Sequence, residues 1–306
     1  MRSQDLVARY CGQLRETFAP LIARESIALV DFPASANCGS HAAWLGEKKL
    51  MAELGAKLVY ECSAQSYDRD AMAAKLGDGT ILVHDGGNAT DPAFRARLTA
   101  DFPNNKIVVA AEQAPPNAAF MLGPQARAAE PICEIVWIGR TDENRAGDQT
   151  EAAARLSSQA AEKFELPPFD DGIEMHFAVK QRPTTVVLTD WTSIFCENVQ
   201  NRNALKALDF DAQSRVYVSR ALHMLSLGHI VITDRLHAHI FCLLLGVPHI
   251  LLNDKAGKNW AFHERWTRQA ALSRLAANPA EAWSLARGAL PKLKEMQAGD
   301  LWSWRE

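Results

Sequence analysis

Short runs rich in Val and Ile recur along most of the chain, separated by longer stretches in which apolar residues return at helical spacing. A strand that is apolar on both faces has to be covered on both, and regular alternation with helices is how a parallel sheet achieves this. The pattern predicts an α/β fold. Strands are expected at Ser26 to Phe32, Lys57 to Cys62, Thr80 to His84, Lys106 to Ala111, Glu134 to Gly139, Thr184 to Thr189, His229 to Thr233 and His249 to Leu252. So many strands suit two sheets better than one, and 306 residues are enough for two domains. The loose, Ala- and Pro-containing segment from Gly123 to Pro131 marks the boundary and gives domains of 1–125 and 126–306.

With 48% hydrophobic and 23% charged residues, the chain falls outside the disordered, collagen-like and low-complexity classes. Lys and Arg total 33 against 36 Asp and Glu, a formal net charge of -3. Such a chain offers no overall basic field, so nucleic acid is not an expected partner and any anion site must be local. The six cysteines are scattered and never form C-x-x-C, which points to a reducing compartment with neither a disulfide framework nor zinc. Met1 to Leu21 intersperses charges with apolar residues and reads as an amphipathic helix rather than a signal peptide. The longest apolar run, Ile240 to Val247, is far below the roughly 20 residues that span a bilayer. A cytoplasmic protein is expected, with room for peripheral contact with the inner membrane. The polar stretch Pro279 to Gln297 reads as a closing helix, and Trp302 and Trp304 beyond it suit docking of the chain's tail.

In parallel sheets ligands bind beyond the carboxyl ends of the strands, so the turns that follow the strands are where function is sought. After the first strand, Asn37, Gly39 and Ser40 precede a helix expected near Ala42, where they can cap it or leave N–H groups for an anion. After the third, His84-Asp85-Gly86-Gly87-Asn88 brings glycines that allow close backbone approach, in a pattern that is neither G-x-G-x-x-G nor a P-loop. The strongest signal is Ile230-Val231-Ile232-Thr233-Asp234-Arg235-Leu236-His237-Ala238-His239, a strand running straight into a helix closed by Gly246 and Pro248. Asp234 is placed to cap that helix. Arg235 and His237 lie in its first turn, where the dipole and free N–H groups favour a phosphate or carboxylate. Arg235 adds a two-pronged clamp, and His237 a proton mobile near neutral pH. His237 and His239, two apart on a helix, do not face one metal ion. The next turn, Asn253 to Asn259, brings Lys255 and Lys258 to the same edge, though solvated lysines are the ordinary reading there.

Thr233-Asp234-Arg235-Leu236-His237-Ala238-His239-Ile240, followed by Leu244-Leu245-Gly246-Val247-Pro248-His249, resembles the signature of the polysaccharide pyruvyl transferases, a strand leading into D-R-L-H-A-x-I and then L-x-G-x-P-H. Asn37-Cys38-Gly39 resembles that family's N-x-G-D turn, His84 to Asn88 its G-G-G-N turn, and Asn253 to Lys258 its D-N-x-x-G-K. With Trp44-Leu45-Gly46-Glu47, Thr189-Asp190-Trp191 and Trp266-Thr267, the resemblance extends from about Ala28 to Thr267.

The resemblance implies two Rossmann-like domains facing a cleft, as in GT-B glycosyltransferases, and transfer of the enolpyruvyl group of phosphoenolpyruvate onto two sugar hydroxyls as a cyclic ketal. It implies no cofactor beyond that donor substrate, no metal, and a glycan acceptor that is free or lipid-linked. His237 and Arg235 would be catalytic. Asn37, Gly39, His84, Gly86, Gly87, Asn88, Asp234, Leu236, His239 and Lys258 would bind substrate, with His239 the other candidate for the acid. Where the family has aspartate, glycine and D-N, this chain has Ser40, Asp85 and Asn253-Asp254. A block of roughly 50 residues, one or two βα units, is missing between Gln113 and Pro116 relative to the family. That block carries an R-D-x-x-S arginine, for which Arg140 is the candidate substitute, a surface salt bridge being its ordinary alternative. Two other readings stay open: a degenerate member that binds phosphoenolpyruvate or glycan without turnover, and a GT-B glycosyltransferase using a nucleotide sugar. The acceptor sugar and the oligomeric state have no signature in the sequence.

Overall fold

The computed structural model describes residues 1–84, 91–110, 117–127, 131–140, 142–143, 145, 161–166, 175–180, 186–189, 205 and 207–295. They form two compact units, one of Ala8–Gly123 with Leu208–Val218, the other of Met1–Val7, Pro124–Ala207 and Ser219–Glu306. Each is built around a sheet of mainly parallel strands, which makes this an α/β two-domain fold.

In the first unit the elements run α1 (Ser3–Ile22, entering from the other unit), β1 (Ser26–Val30), α2 (Cys38–Glu53), β2 (Lys57–Cys62), α3 (Arg69–Leu76), β3 (Thr80–Val83), α4 (Pro92–Asp101) and β4 (Ile107–Val109). Among the described residues its sheet has the order β2-β1-β3-β4, all parallel. Ala28, Val30, Ile81 and Val83 are fully buried and pack with Met72, Phe94 and Leu98, the apolar faces of α3 and α4. β1 ends earlier than the apolar run suggests, because Asp31 takes a left-handed backbone (φ 72°) that turns the chain out of the sheet. The helix expected near Ala42 begins four residues earlier, at Cys38, because Asn37 caps it. Gly46 of α2 lies so close to the turn Ala118–Leu122 that a β-carbon there would overlap the Ala118 carbonyl.

The second unit contains β5 (Cys133–Ile138), β6 (Ala161–Leu166), β7 (Met175–Lys180), β8 (Val186–Thr189), the end of α5 (Phe210–Ser226), β9 (Gly228–Thr233), α6 (Leu236–Leu245), β10 (His249–Leu252), α7 (Lys258–Phe262), β11 (Ser273–Ala276) and α8 (Pro279–Glu295). Its described strands have the order β11-β10-β9-β5-β8-β7-β6, in which β7 pairs antiparallel with both β8 and β6 and the other pairings are parallel. Ile135, Trp137, Ile230, Ile232, Ile250 and Leu252 project from the central strands against Trp283, Ala286, Leu290 and Leu293 of α8. Thr233 of β9 is level with Ile138 of β5 and Leu251 of β10, so the turns after three neighbouring strands leave at one edge.

All the expected strands are present with ends shifted by a few residues. β6, β7 and β11 are additions, and their sequences AEKFEL, MHFAVK and SRLA mix charged or polar residues with apolar ones. Strands near a sheet's margin do not need the continuous apolar run that marks a central parallel strand. Among the described residues no helix is long and apolar enough to cross a membrane. Cys11, Cys38, Cys62, Cys133 and Cys242 are buried free thiols; Cys196, Trp302 and Trp304 lie outside the described residues.

Candidate functional site

At the carboxyl edge of the second unit, β9 hands over to α6 through Asp234 and Arg235. The expectation that Asp234 caps α6 is corrected: the N-cap position is Arg235, with no side-chain cap hydrogen bond. The Arg235 N–H donates instead to Thr233 Oγ1 (3.0 Å). The Asp234 carboxylate turns towards the neighbouring strand, where Oδ1 accepts from the Arg140 backbone N–H at 2.8 Å. This ties the turn after β5 to the turn after β9. From the other side, Asn259 Nδ2 donates to the Asp234 carbonyl (2.5 Å) and to the Leu252 carbonyl (3.0 Å), joining the turn after β10.

Asp234 is wholly buried and its Oδ2 has no hydrogen-bond partner. Burial pushes its pKa up to about 6, against the Arg140 N–H bond and the charges of Arg235 and Arg140, which pull the other way. The guanidinium of Arg140 grips Asp142 with a fork, Nε to Oδ1 and Nη2 to Oδ2, both at 2.9 Å. Arg235 Nη2 approaches the same Oδ2 at 3.6 Å. Burial alone would lower the affinity of Arg140 for its proton, but the Asp142 fork and the carboxylates of Asp234 and Asp254 outweigh it. Two arginines from adjacent strand ends thus converge on one carboxylate, with a second carboxylate buried behind them.

The two candidate histidines of α6 separate clearly. His239 is fully buried and both ring nitrogens are engaged, Nδ1 with His249 Nε2 (2.7 Å) and Nε2 with Thr267 Oγ1 (2.7 Å). His249 Nδ1 faces the Val247 carbonyl (2.9 Å), and Thr267 Oγ1 faces His263 Nδ1 (3.1 Å). A carbonyl only accepts, so His249 carries its proton on Nδ1 and its Nε2 accepts from His239 Nδ1–H. His239 Nε2 then accepts from the Thr267 hydroxyl, which in turn accepts from His263 Nδ1–H. These four hydrogen bonds are mutually consistent with all three imidazoles neutral. This chain fastens α6 to β10 and to the π-helical turn His263–Thr267. His237, in the first turn of α6, is 8% exposed and Leu236 is half-buried. Lys258 has an exposed side chain, and its N–H donates to Asp254 Oδ1 (2.6 Å).

The other expected residues belong to the first unit. Asn37 is occupied as the cap of α2, its Oδ1 accepting from the Gly39 N–H (3.1 Å). His84, after β3, donates from Nδ1 to Glu47 Oε2 of α2 at 2.7 Å, a pair that is almost wholly buried. His41 lies on the same helix. Its Nδ1 meets Ser214 Oγ (3.0 Å), its Nε2 donates to the Ser35 carbonyl (3.0 Å), and Tyr217 stacks on its ring. Burial pushes its pKa down to about 4, offset in part by the Ser35 bond and deepened by His84. Gly86, Gly87 and Asn88 lie outside the described residues.

Sequence reasoning did not single out Asp142, Asn259, Thr267 or Glu47 as site residues. Asp142 follows Arg140 by two positions, and that spacing was the available signal. The others act through partners remote in sequence, which a single chain's pattern does not reveal.

Residues 185–255, spanning β8 to β10, match the family model described as polysaccharide pyruvyl transferase. Pyruvyl transferase 1 of Schizosaccharomyces pombe is 25% identical over 305 residues, covering 79% of this chain and 70% of that protein. A crystal structure of an uncharacterized protein from Klebsiella pneumoniae aligns with a TM-score of 0.40 and 11% identity, over 91% of this chain and 100% of that one.

Proposed function

We propose that this chain, a transferase of the polysaccharide pyruvyl transferase family, moves pyruvate from phosphoenolpyruvate onto two hydroxyls of a sugar in an exopolysaccharide or cell-surface glycan precursor. The product is a cyclic ketal and the by-product is phosphate. We read the two α/β units as a GT-B-like pair, the second unit taking phosphoenolpyruvate and the first the acceptor. The observation that carries this reading is the convergence of Arg140 and Arg235 at the edge where α6 begins, with His237 in its first turn.

Phosphoenolpyruvate carries a phosphate and a carboxylate on the same carbon, and planar guanidiniums on neighbouring strand ends suit both. His237, protonated, gives its proton to the methylene carbon, and the neighbouring carbon becomes electron-poor. A sugar hydroxyl attacks that carbon and passes its proton to the now neutral imidazole of His237. The bond from this carbon to the phosphate oxygen then breaks, with the arginines stabilising the departing charge. The second hydroxyl attacks the same carbon and closes the ring, its proton leaving on the phosphate. His237 is preferred to His239 as the acid because it keeps some solvent contact in the first turn of α6, whereas His239 is fully buried.

Calorimetry separates the roles. Wild type is expected to bind phosphoenolpyruvate, Arg235→Ala to lose that binding, and His237→Ala to bind without transferring. Absence of binding to the wild type at millimolar ligand, or preferential binding of a nucleotide sugar, would overturn the reading.

A further inference from the structure

Asp142 is the odd member of the charge cluster at the edge of the second unit. Arg235, with 5% of its side-chain surface exposed, and Arg140, with 19%, are largely out of water, whereas Asp142 keeps 39%. Asp234 is fully buried and held by the Arg140 N–H. Of Arg140, Arg235, Asp142 and Asp234, Asp142 keeps the most contact with solvent. A half-exposed carboxylate regains its hydration when it swings away, while a buried arginine that loses its counter-ion does not. Both oxygens of Asp142 are used as a bound phosphate or carboxylate would use its own, in a two-pronged fork from Arg140 with Arg235 alongside.

We infer that Asp142 is a resident anion that occupies the phosphoenolpyruvate site between Arg140 and Arg235, so that substrate enters by displacing it. The inference rests on the proposed function and deepens it: it makes Asp142 an internal competitor at the donor site. The class of ligand is a phosphate monoester or carboxylate able to span two guanidiniums. Competition lowers apparent affinity by the fraction of time the site is self-occupied. The resident carboxylate also keeps the arginines paired and ordered when no substrate is bound.

The test is the affinity of wild type, Asp142→Asn, Asp142→Glu and Glu143→Gln for phosphoenolpyruvate, inorganic phosphate and pyruvate, measured by calorimetry. Asparagine keeps the shape but gives up the charge, and is expected to bind phosphoenolpyruvate about threefold to tenfold tighter, the range set by a partly exposed ion pair. Asp142→Glu restores a competing carboxylate and should stay near wild type. Glu143→Gln removes the same charge one residue away on an exposed side chain, so it reports the general field. Equal tightening in Asp142→Asn and Glu143→Gln, or weaker binding in Asp142→Asn, overturns the inference; weaker binding would mean that Asp142 merely positions the arginines. If wild type binds phosphoenolpyruvate and Arg235→Ala does not, the proposed function survives that result. Tighter binding of inorganic phosphate by Asp142→Asn, without pyruvyl transfer by any form, would uphold the resident anion and overturn the proposed function. The phosphate and pyruvate arms show which end of phosphoenolpyruvate takes the place of Asp142.

Discussion

Replacing Asp234 with asparagine isolates the energetic consequence of burying a carboxylate between the strand ends. In the folded chain its pKa is pushed from 3.8 up to about 6. A raised acid pKa means that the folded state holds the proton more tightly than the unfolded chain does. The associated stability is complete below pH 3.8 and is lost as pH rises through 6. A shift of about two pKa units corresponds to roughly 3 kcal/mol in full, and to roughly 2 kcal/mol between pH 4 and pH 8, since the unfolded carboxyl is already half ionised at pH 4. Asparagine keeps the acceptor for the Arg140 N–H but puts an amide where Oδ2 lay, a penalty that does not depend on pH. The informative quantity is therefore a double difference. Urea unfolding of wild type and Asp234→Asn at pH 4 and pH 8 should show the variant gaining roughly 2 kcal/mol on wild type across that interval. Parallel pH profiles for the two proteins would refute the reasoning, because they would mean that Asp234 ionises as easily folded as unfolded.

His41 gives the opposite sign. Its pKa falls from 6.5 to about 4 on folding, so its stabilisation is present above pH 6.5 and is lost as the pH drops towards 4, by up to about 3 kcal/mol. Urea titrations should show that loss in wild type and a flatter profile in His41→Gln; a profile flat in both contradicts a buried neutral imidazole. Gly46→Ala puts a β-carbon within 2.6 Å of the Ala118 carbonyl carbon and should cost at least about 2 kcal/mol of unfolding free energy, whereas an unchanged denaturation midpoint would show that α2 can move aside. Thr267→Val removes the hydroxyl that donates to His239 Nε2 and should destabilise by roughly 1–3 kcal/mol, while Thr267→Ser stays near wild type; equal behaviour of the two variants would dismiss the histidine chain.

The α/β class and the strands that carry the site were legible because central parallel strands are apolar on both faces, as the buried Ile230 and Ile232 and their neighbours illustrate. β6 and β7 were not, since nothing in AEKFEL or MHFAVK distinguishes a marginal strand from a helical turn. The Arg235–His237 turn was legible because strand, turn and helix follow one another directly in the chain. Its wiring was not. Asp234 looked like a helix cap by position, yet a backbone N–H from the turn after β5, 94 residues away in sequence, claims its carboxylate. His239 was the other candidate for the acid, and its engagement with His249 and Thr267 on both nitrogens was not legible in the sequence. Asn37 and Gly39 show the converse, a turn that resembles a ligand loop and is accounted for locally by capping.

The most direct measurement is a reaction of the purified protein with phosphoenolpyruvate and a panel of galactoside, glucoside and mannoside acceptors, following phosphate release and ketal formation together by NMR. The account predicts phosphate and pyruvate ketal in equal amounts with at least one acceptor, and neither product with Arg235→Ala. Turnover of a nucleotide sugar by the same preparation, with phosphoenolpyruvate left intact in the presence of every acceptor, would contradict it.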